Sequence, residues 1–145
     1  MDEELKKMLE DCGAIKYGEF TLTSGKKSSY YVDIKLASTE PEILKKIGEG
    51  MAYHIDGDRI AGMELGAVPI AAAVSLETNK PFLMVRKKEK GHGTSGRIEG
   101  KLNEGEKVVV VEDVATTGGS AVETVEVLRE AGAVVDKVIV VVDRK

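Results

Sequence analysis

Cysteine is nearly absent. Cys12 is the only one in 145 residues, which excludes an intramolecular disulfide, and beside just two histidines no Cys/His cluster of zinc spacing exists. Tryptophan is missing altogether and aromatics make up 4%, too few for a surface that stacks single-stranded bases. Positive charge is not in excess: 21 Lys/Arg stand against 25 Asp/Glu, a net charge of −4, which argues against general nucleic-acid binding. No apolar run approaches the roughly 18–20 residues of a membrane span, and the acidic start Met1-Asp-Glu-Glu4 is unlike a signal peptide. These absences lead to the expectation of a cytoplasmic protein with neither membrane nor nucleic acid as partner.

What is present suits one ordinary domain covering 1–145. Hydrophobic residues at 42% and charged residues at 32% supply a core and a solvated surface, excluding disorder and low-complexity scaffolds. Charge is unevenly spread. Between Arg86 and Lys101 six Lys/Arg face only two acids, a basic island on an acidic body that suggests a local anionic ligand.

Leu5, Met8, Leu9 and Cys12 fall on one face of a short helix ended by Gly13. Short strands are expected at 20–22 and 30–34, around a turn-rich Ser24-Gly-Lys-Lys-Ser-Ser29. Thr39-Glu-Pro-Glu42 has the form of a capping box, and Leu44, Ile47, Met51 and Ile55 then stripe a second helix. Strands follow at 59–62, 81–85, 107–111 and 137–142, with helices at 68–76, entered through Pro69, and 121–131, ended by Gly132. The two valine-rich strands read as buried on both faces. Strand–helix–strand units with short connections imply right-handed crossovers and an α/β, doubly wound, mostly parallel sheet.

Ligands of such sheets collect beyond the carboxyl ends of the strands. Val108-Val-Val-Val-Glu-Asp-Val-Ala-Thr-Thr-Gly-Gly-Ser120 belongs there. The strand delivers Glu112 and Asp113 to the sheet edge, and Thr116-Thr-Gly-Gly119 offers bare N–H groups and two hydroxyls. Ser120 is placed to cap the next helix. An N–H-rich turn at a helix N-terminus suits phosphate, whereas carboxylates beside it suit vicinal sugar hydroxyls or a divalent cation. Sugar hydroxyls next to a phosphate describe a ribose 5-phosphate. A Walker B strand looks similar, but no Gly-x4-Gly-Lys-Ser/Thr loop occurs, nor does a Gly-x-Gly-x-x-Gly after a strand.

This segment resembles the signature of the type I phosphoribosyltransferases. The resemblance narrows to the orotate phosphoribosyltransferases through Gly18-Glu-Phe-Thr-Leu-Thr-Ser-Gly25, Tyr30-Tyr-Val-Asp33 and Glu64-Leu-Gly-Ala-Val-Pro-Ile70. Arg86-Lys-Lys-Glu-Lys-Gly-His-Gly-Thr94, Ile98-Glu-Gly100 and Val142-Asp-Arg144 complete the set. It implies a helix and hairpin hood over about 1–38 and an α/β core over 39–145. It also implies that Glu112 and Asp113 hold the ribose hydroxyls of phosphoribosyl pyrophosphate. Val114, Ala115, Thr116, Thr117, Gly118, Gly119 and Ser120 would line that donor, those from Ala115 onward wrapping its 5-phosphate. Arg86, Lys87, Lys90 and His92 would meet the pyrophosphate. Lys87, Lys90 and His92 would act catalytically, stabilising the leaving group from a mobile loop shared between the subunits of a homodimer. Thr116 and Arg144 would hold orotate. Mg²⁺ would enter with the pyrophosphate, held by ligand oxygens and water without a direct protein ligand.

Glycines at 91, 93, 96 and 100 suit such a lid. Bacterial relatives carry lysines where this chain has Thr23 and Leu65, and Glu-Leu-Gly-Ala-Val-Pro looks more like the archaeal branch. Relatives continue with a further helix and strand after the pair matching Asp143-Arg144, so the expectation is either a short natural form or an incomplete chain. Two rival readings are the same chemistry on a purine, and a regulator that binds the sugar phosphate, or RNA, without turnover.

Overall fold

The computed structural model describes residues 2–22, 24–88 and 94–144. Helix α1 (Glu3–Asp11) starts at Asp2, whose carboxylate accepts the N–H groups of Glu4 and Leu5. Strands β1 (Ile15–Thr21) and β2 (Lys27–Val32) form an antiparallel hairpin of their own. Then come α2 (Ile34–Ser38), α3 (Pro41–Ala52), β3 (Arg59–Met63), α4 (Ala67–Thr78) and β4 (Phe82–Val85). A 3-10 turn (Thr94–Arg97) leads into β5 (Ile98–Glu99), followed by β6 (Val108–Ala115), α5 (Gly119–Glu130) and β7 (Val138–Asp143).

The main sheet has the order β5-β4-β3-β6-β7, parallel except for the short β5. Its two faces carry separate cores because side chains alternate along each strand. Ile60 and Val111 face Ile47, Met51, Ile70 and Val74 of α3 and α4, whereas Ala61, Val108 and Val110 face Val127 and Leu128 of α5. Helices on both faces make the doubly wound arrangement.

Several local expectations needed correction. Thr39 does not open a capping box. It ends α2, an element with no sequence signal beyond Asp33, whose side chain accepts from Leu36 N–H, and the Thr39 hydroxyl donates to the Leu36 carbonyl. Helix α3 starts with Pro41 in its first turn and has no side-chain cap. Strand β7 is an edge strand, so only one of its sides is paired. Val138 is 39% exposed, whereas Val108, Val109, Val110 and Val111 of the interior strand β6 are fully buried.

Candidate active site

Strand order reverses between β3 and β6. Helix α4 carries the chain from β3 toward one edge, and α5 carries it from β6 toward the other across the opposite face. The crevice at such a reversal is the usual ligand site of an open parallel sheet. Here its walls are the turn after β3 and the residues after β6.

Gly118 makes the second wall possible. It takes φ +83°, which costs a side-chain-bearing residue strain, and it serves as the N-cap of α5. The helix therefore begins two residues before the expected 121. Ser120 does not cap it: its hydroxyl lies 3.8 Å from the Met63 sulfur, and no side chain caps the helix. One first-turn N–H, that of Gly119, meets the Thr117 hydroxyl at 3.3 Å. The open turn forms a cavity of about 200 Å³ lined by Glu112 and residues 114–121.

The two acids at the end of β6 line different, adjoining cavities. Glu112 is 5% exposed and lines the turn cavity. Its Oε1 accepts the Asp113 N–H at 3.2 Å, and its Oε2 is buried without a partner. Burial first, and the neighbouring Asp113 carboxyl second, push its pKa up to about 7. An unsatisfied buried oxygen is costly unless something binds it. Asp113 instead lines an adjoining cavity of about 480 Å³ with Thr116, Thr117, Arg144 and the hairpin residues Leu22 and Tyr31.

Arg144 is oriented by that hairpin. Its Nη2 donates to the Ser28 hydroxyl at 2.8 Å and the Tyr30 carbonyl at 3.0 Å, and its guanidinium lies 4.3 Å from the Tyr30 ring centre. The arginine thus couples the end of β7 to the β1–β2 hairpin. Thr116, Asp113 and Arg144 line one cavity, while Glu112 joins Val114, Ala115, Thr117, Gly118, Gly119 and Ser120 at the turn.

The basic segment after β4 is braced at its root. Arg86 is engaged with Glu99 at 2.7 Å rather than facing the crevice free, and the Lys87 N–H donates to Glu64 at 2.8 Å. Arg97 bonds the Arg86 carbonyl and pairs with Glu123 of α5 at 2.7 Å. Lys90 and His92, like the Thr23 position, lie outside the described residues.

Sequence reasoning gave no role to Gly66. A Cβ at this position would run into the Asp113 carboxylate, so the acid sits against a bare backbone. A glycine directly after a strand, at the start of a helix, was the available signal.

A cavity of about 500 Å³ between α1, α3 and β7 is a poorer candidate, since Lys46 there is already paired with Asp2 and Glu4. Among the described residues no helix is long and apolar enough to cross a membrane.

The phosphoribosyl transferase domain model matches residues 38–145, a span that includes the turn after β3 and the acids and turn of β6. Phosphoribosyl transfer is thus the class that fold and site define. At finer grain, an orotate phosphoribosyltransferase of Methanocaldococcus jannaschii is 57% identical over 148 residues, covering 99% of this chain and 84% of that protein. The crystal structure of orotate phosphoribosyltransferase from Aeropyrum pernix superposes with a TM-score of 0.82 at 36% identity, covering 97% of this chain and 81% of that one. The Mycobacterium tuberculosis enzyme in complex with 5-phospho-alpha-D-ribosyl 1-diphosphate does so at 0.75 and 32%, with the same two coverages. The chain belongs to the orotate phosphoribosyltransferase family.

Proposed function

We propose that this chain transfers the phosphoribosyl group of phosphoribosyl pyrophosphate to orotate, giving orotidine 5-phosphate and pyrophosphate in pyrimidine nucleotide synthesis. The observation that carries the reading is the pairing of an open, glycine-capped helix start with the Glu112–Asp113 acids at the switch point of the sheet. A 5-phosphate fits the turn at residues 115–120, where N–H groups and the helix dipole favour an anion. The ribose hydroxyls then fall to Glu112 and Asp113. A hydroxyl donating to Glu112 Oε2 would satisfy a buried oxygen that the fold leaves unpaired, and it would favour the ionised form of that carboxyl.

Substitution at ribose C1 develops positive charge on the sugar and negative charge on the departing pyrophosphate. Positioned cations stabilise the second charge, and exclusion of water strengthens them. Arg86, Lys87, Lys90 and His92 carry this role in the proposal, with Lys87, Lys90 and His92 acting from the loop. Arg86 would leave Glu99 to do so. On the far side Arg144, held by Ser28 and Tyr30, presents its remaining guanidinium edge to the orotate carboxylate beside Thr116.

Among the described residues no cluster of three or more metal-ligating side chains exists. The site fits Mg²⁺ carried in by the pyrophosphate, held by its oxygens and water, with the acid pair close by. Bound so, the ion would neutralise part of the leaving group's charge.

The reading includes a homodimer that shares the basic loop, working in the cytoplasm. What supports the dimer is an apolar helix with an uncovered side: α4 exposes Leu76 by 85%, and Leu65 just before it is 72% exposed. Product analysis with orotate, phosphoribosyl pyrophosphate and Mg²⁺, run beside uracil and the purines, tests the proposal. Orotidine 5-phosphate and pyrophosphate are the expected products. Turnover of a purine instead, or donor binding without turnover, would contradict it.

A further inference from the structure

The crevice holds one more cation, to which the reaction outlined above gives no task. Lys35, on α2, is exposed, and it lines the 480 Å³ cavity together with Asp113, Thr116 and Arg144. Among the described residues it makes no ion pair and no side-chain hydrogen bond. An unpaired ammonium beside a carboxylate wall and an arginine is suited to an incoming anion.

Its stem shows which anion. A Cβ built on Gly66 would lie 3.2 Å from Lys35 Cγ and 2.8 Å from Asp113 Cγ. The lysine chain and the acid therefore approach the same bare Cα, across the switch point between β3 and β6. Four groups follow one another along the carboxyl edge of the sheet: the basic segment after β4, Gly66 after β3, the acids and turn of β6, and Arg144 after β7. With the phosphate in the turn and the ribose on the acids, C1 has two flanks. The β7 flank belongs to the acceptor, because Arg144 stands there. The β3 and β4 flank belongs to the diphosphate. The Lys35 stem meets the β3 end at Gly66. The turn there, Glu64-Leu65-Gly66, has no cation of its own.

We propose that Lys35 binds the donor directly, placing its ammonium on the diphosphate oxygens next to the C1–O bond that breaks. The inference rests on the proposed transferase reading. It adds a charge on the leaving-group side that belongs to the core of the fold rather than to the basic loop. It also assigns Gly66 a part: the missing Cβ lets the lysine stem and the Asp113 carboxylate share one spot, so that leaving group and sugar are gripped from adjacent positions.

The test uses the full chain with Lys35→Gln and Lys35→Arg. Calorimetric titrations with phosphoribosyl pyrophosphate, inorganic pyrophosphate and ribose 5-phosphate, each with Mg²⁺, are compared with the wild type. Lys35→Gln is expected to lose tenfold or more in affinity for the first two ligands, and less than twofold for ribose 5-phosphate, which has no diphosphate. KM for orotate should stay within twofold, Lys35→Arg should recover most of the loss, and the unliganded melting temperatures should coincide. Unchanged pyrophosphate affinity in Lys35→Gln would overturn the inference. So would a parallel loss for ribose 5-phosphate, or a loss confined to orotate. A wild type that binds none of the three ligands would instead remove the transferase reading, and this inference with it.

Discussion

The two ends of the central sheet are built on opposite principles. At the amino ends of β3, β6 and β7, charges are matched. Arg59 pairs with Glu106 at 2.7 Å, Lys107 bridges Asp56 and Asp136 at 3.1 and 3.6 Å, and Lys137 reaches Asp56 at 3.3 Å. The partners hold Asp56 and Glu106 below the usual carboxylate range and Lys107 above the usual ammonium one. At the carboxyl ends the pattern inverts. Glu112 is buried with an oxygen unpaired and its pKa raised, the first turn of α5 has no side-chain cap, and the Gly66 backbone lies bare beside Asp113. One end is complete without a ligand. The other leaves a buried carboxylate oxygen without a partner and a helix start without a side-chain cap, the features of a candidate site and not of a stabilising network.

If the contrast is real, substitutions at the two ends should be felt in different measurements. The largest effect belongs to Asp113→Asn, which should weaken phosphoribosyl pyrophosphate binding roughly 10- to 100-fold, the scale of a hydrogen bond to a charged group. Equilibrium titration reads it, and unchanged affinity would remove the acid from the ribose site. Arg144→Ala should raise KM for orotate about tenfold. It should also lower stability by about 1–2 kcal/mol, since the Ser28, Tyr30 carbonyl and ring contacts disappear together. Steady-state kinetics and denaturant titration separate the two consequences.

Glu112→Gln makes the sharpest pH test. The folded chain holds the Glu112 proton more tightly than the unfolded chain does, because the pKa rises from 4.5 to about 7. Its contribution to stability is therefore intact below about pH 4.5 and is lost as pH climbs through about 7. Thermal melts without ligand should find the glutamine variant gaining on the wild type from pH 5 to pH 8, although it binds the donor less well. A constant difference across that range would contradict the burial argument. The smallest effect is expected at the other end. Lys107→Ala should lower the melting temperature by a few degrees at most and leave kcat and KM unchanged.

How far the sequence reveals this design differs between the same two ends. The β6 valines and the Glu112–Asp113, Thr116–Thr117 and Gly118–Gly119 pairs are contiguous, so the glycine turn and the acids before it can be read directly. Apolar runs and period-3.6 patterns are local too, which is why the four parallel strands and the long helices can be read in order, while the two-residue β5 cannot. Helix α2 is too short to show a period, and Asp33 alone could not announce it. The exposure of β7 follows from its edge position, which is a property of strand order and not of its valines. The Gly66–Asp113 approach and the engagement of Arg86 by Glu99 join distant parts of the chain, and no local pattern records them. The amino-end network is hidden for the same reason: Arg59 and Glu106 are 47 residues apart.

In the proposed function the turn after β6 grips a 5-phosphate while Glu112 and Asp113 take the ribose hydroxyls. A crystal structure of the chain with phosphoribosyl pyrophosphate and Mg²⁺ measures this directly. The phosphate is expected among the N–H groups of residues 115–120, with both carboxylates within hydrogen-bond distance of the sugar. A donor bound elsewhere, or a bound ribose that leaves Glu112 Oε2 still unpaired, would contradict it.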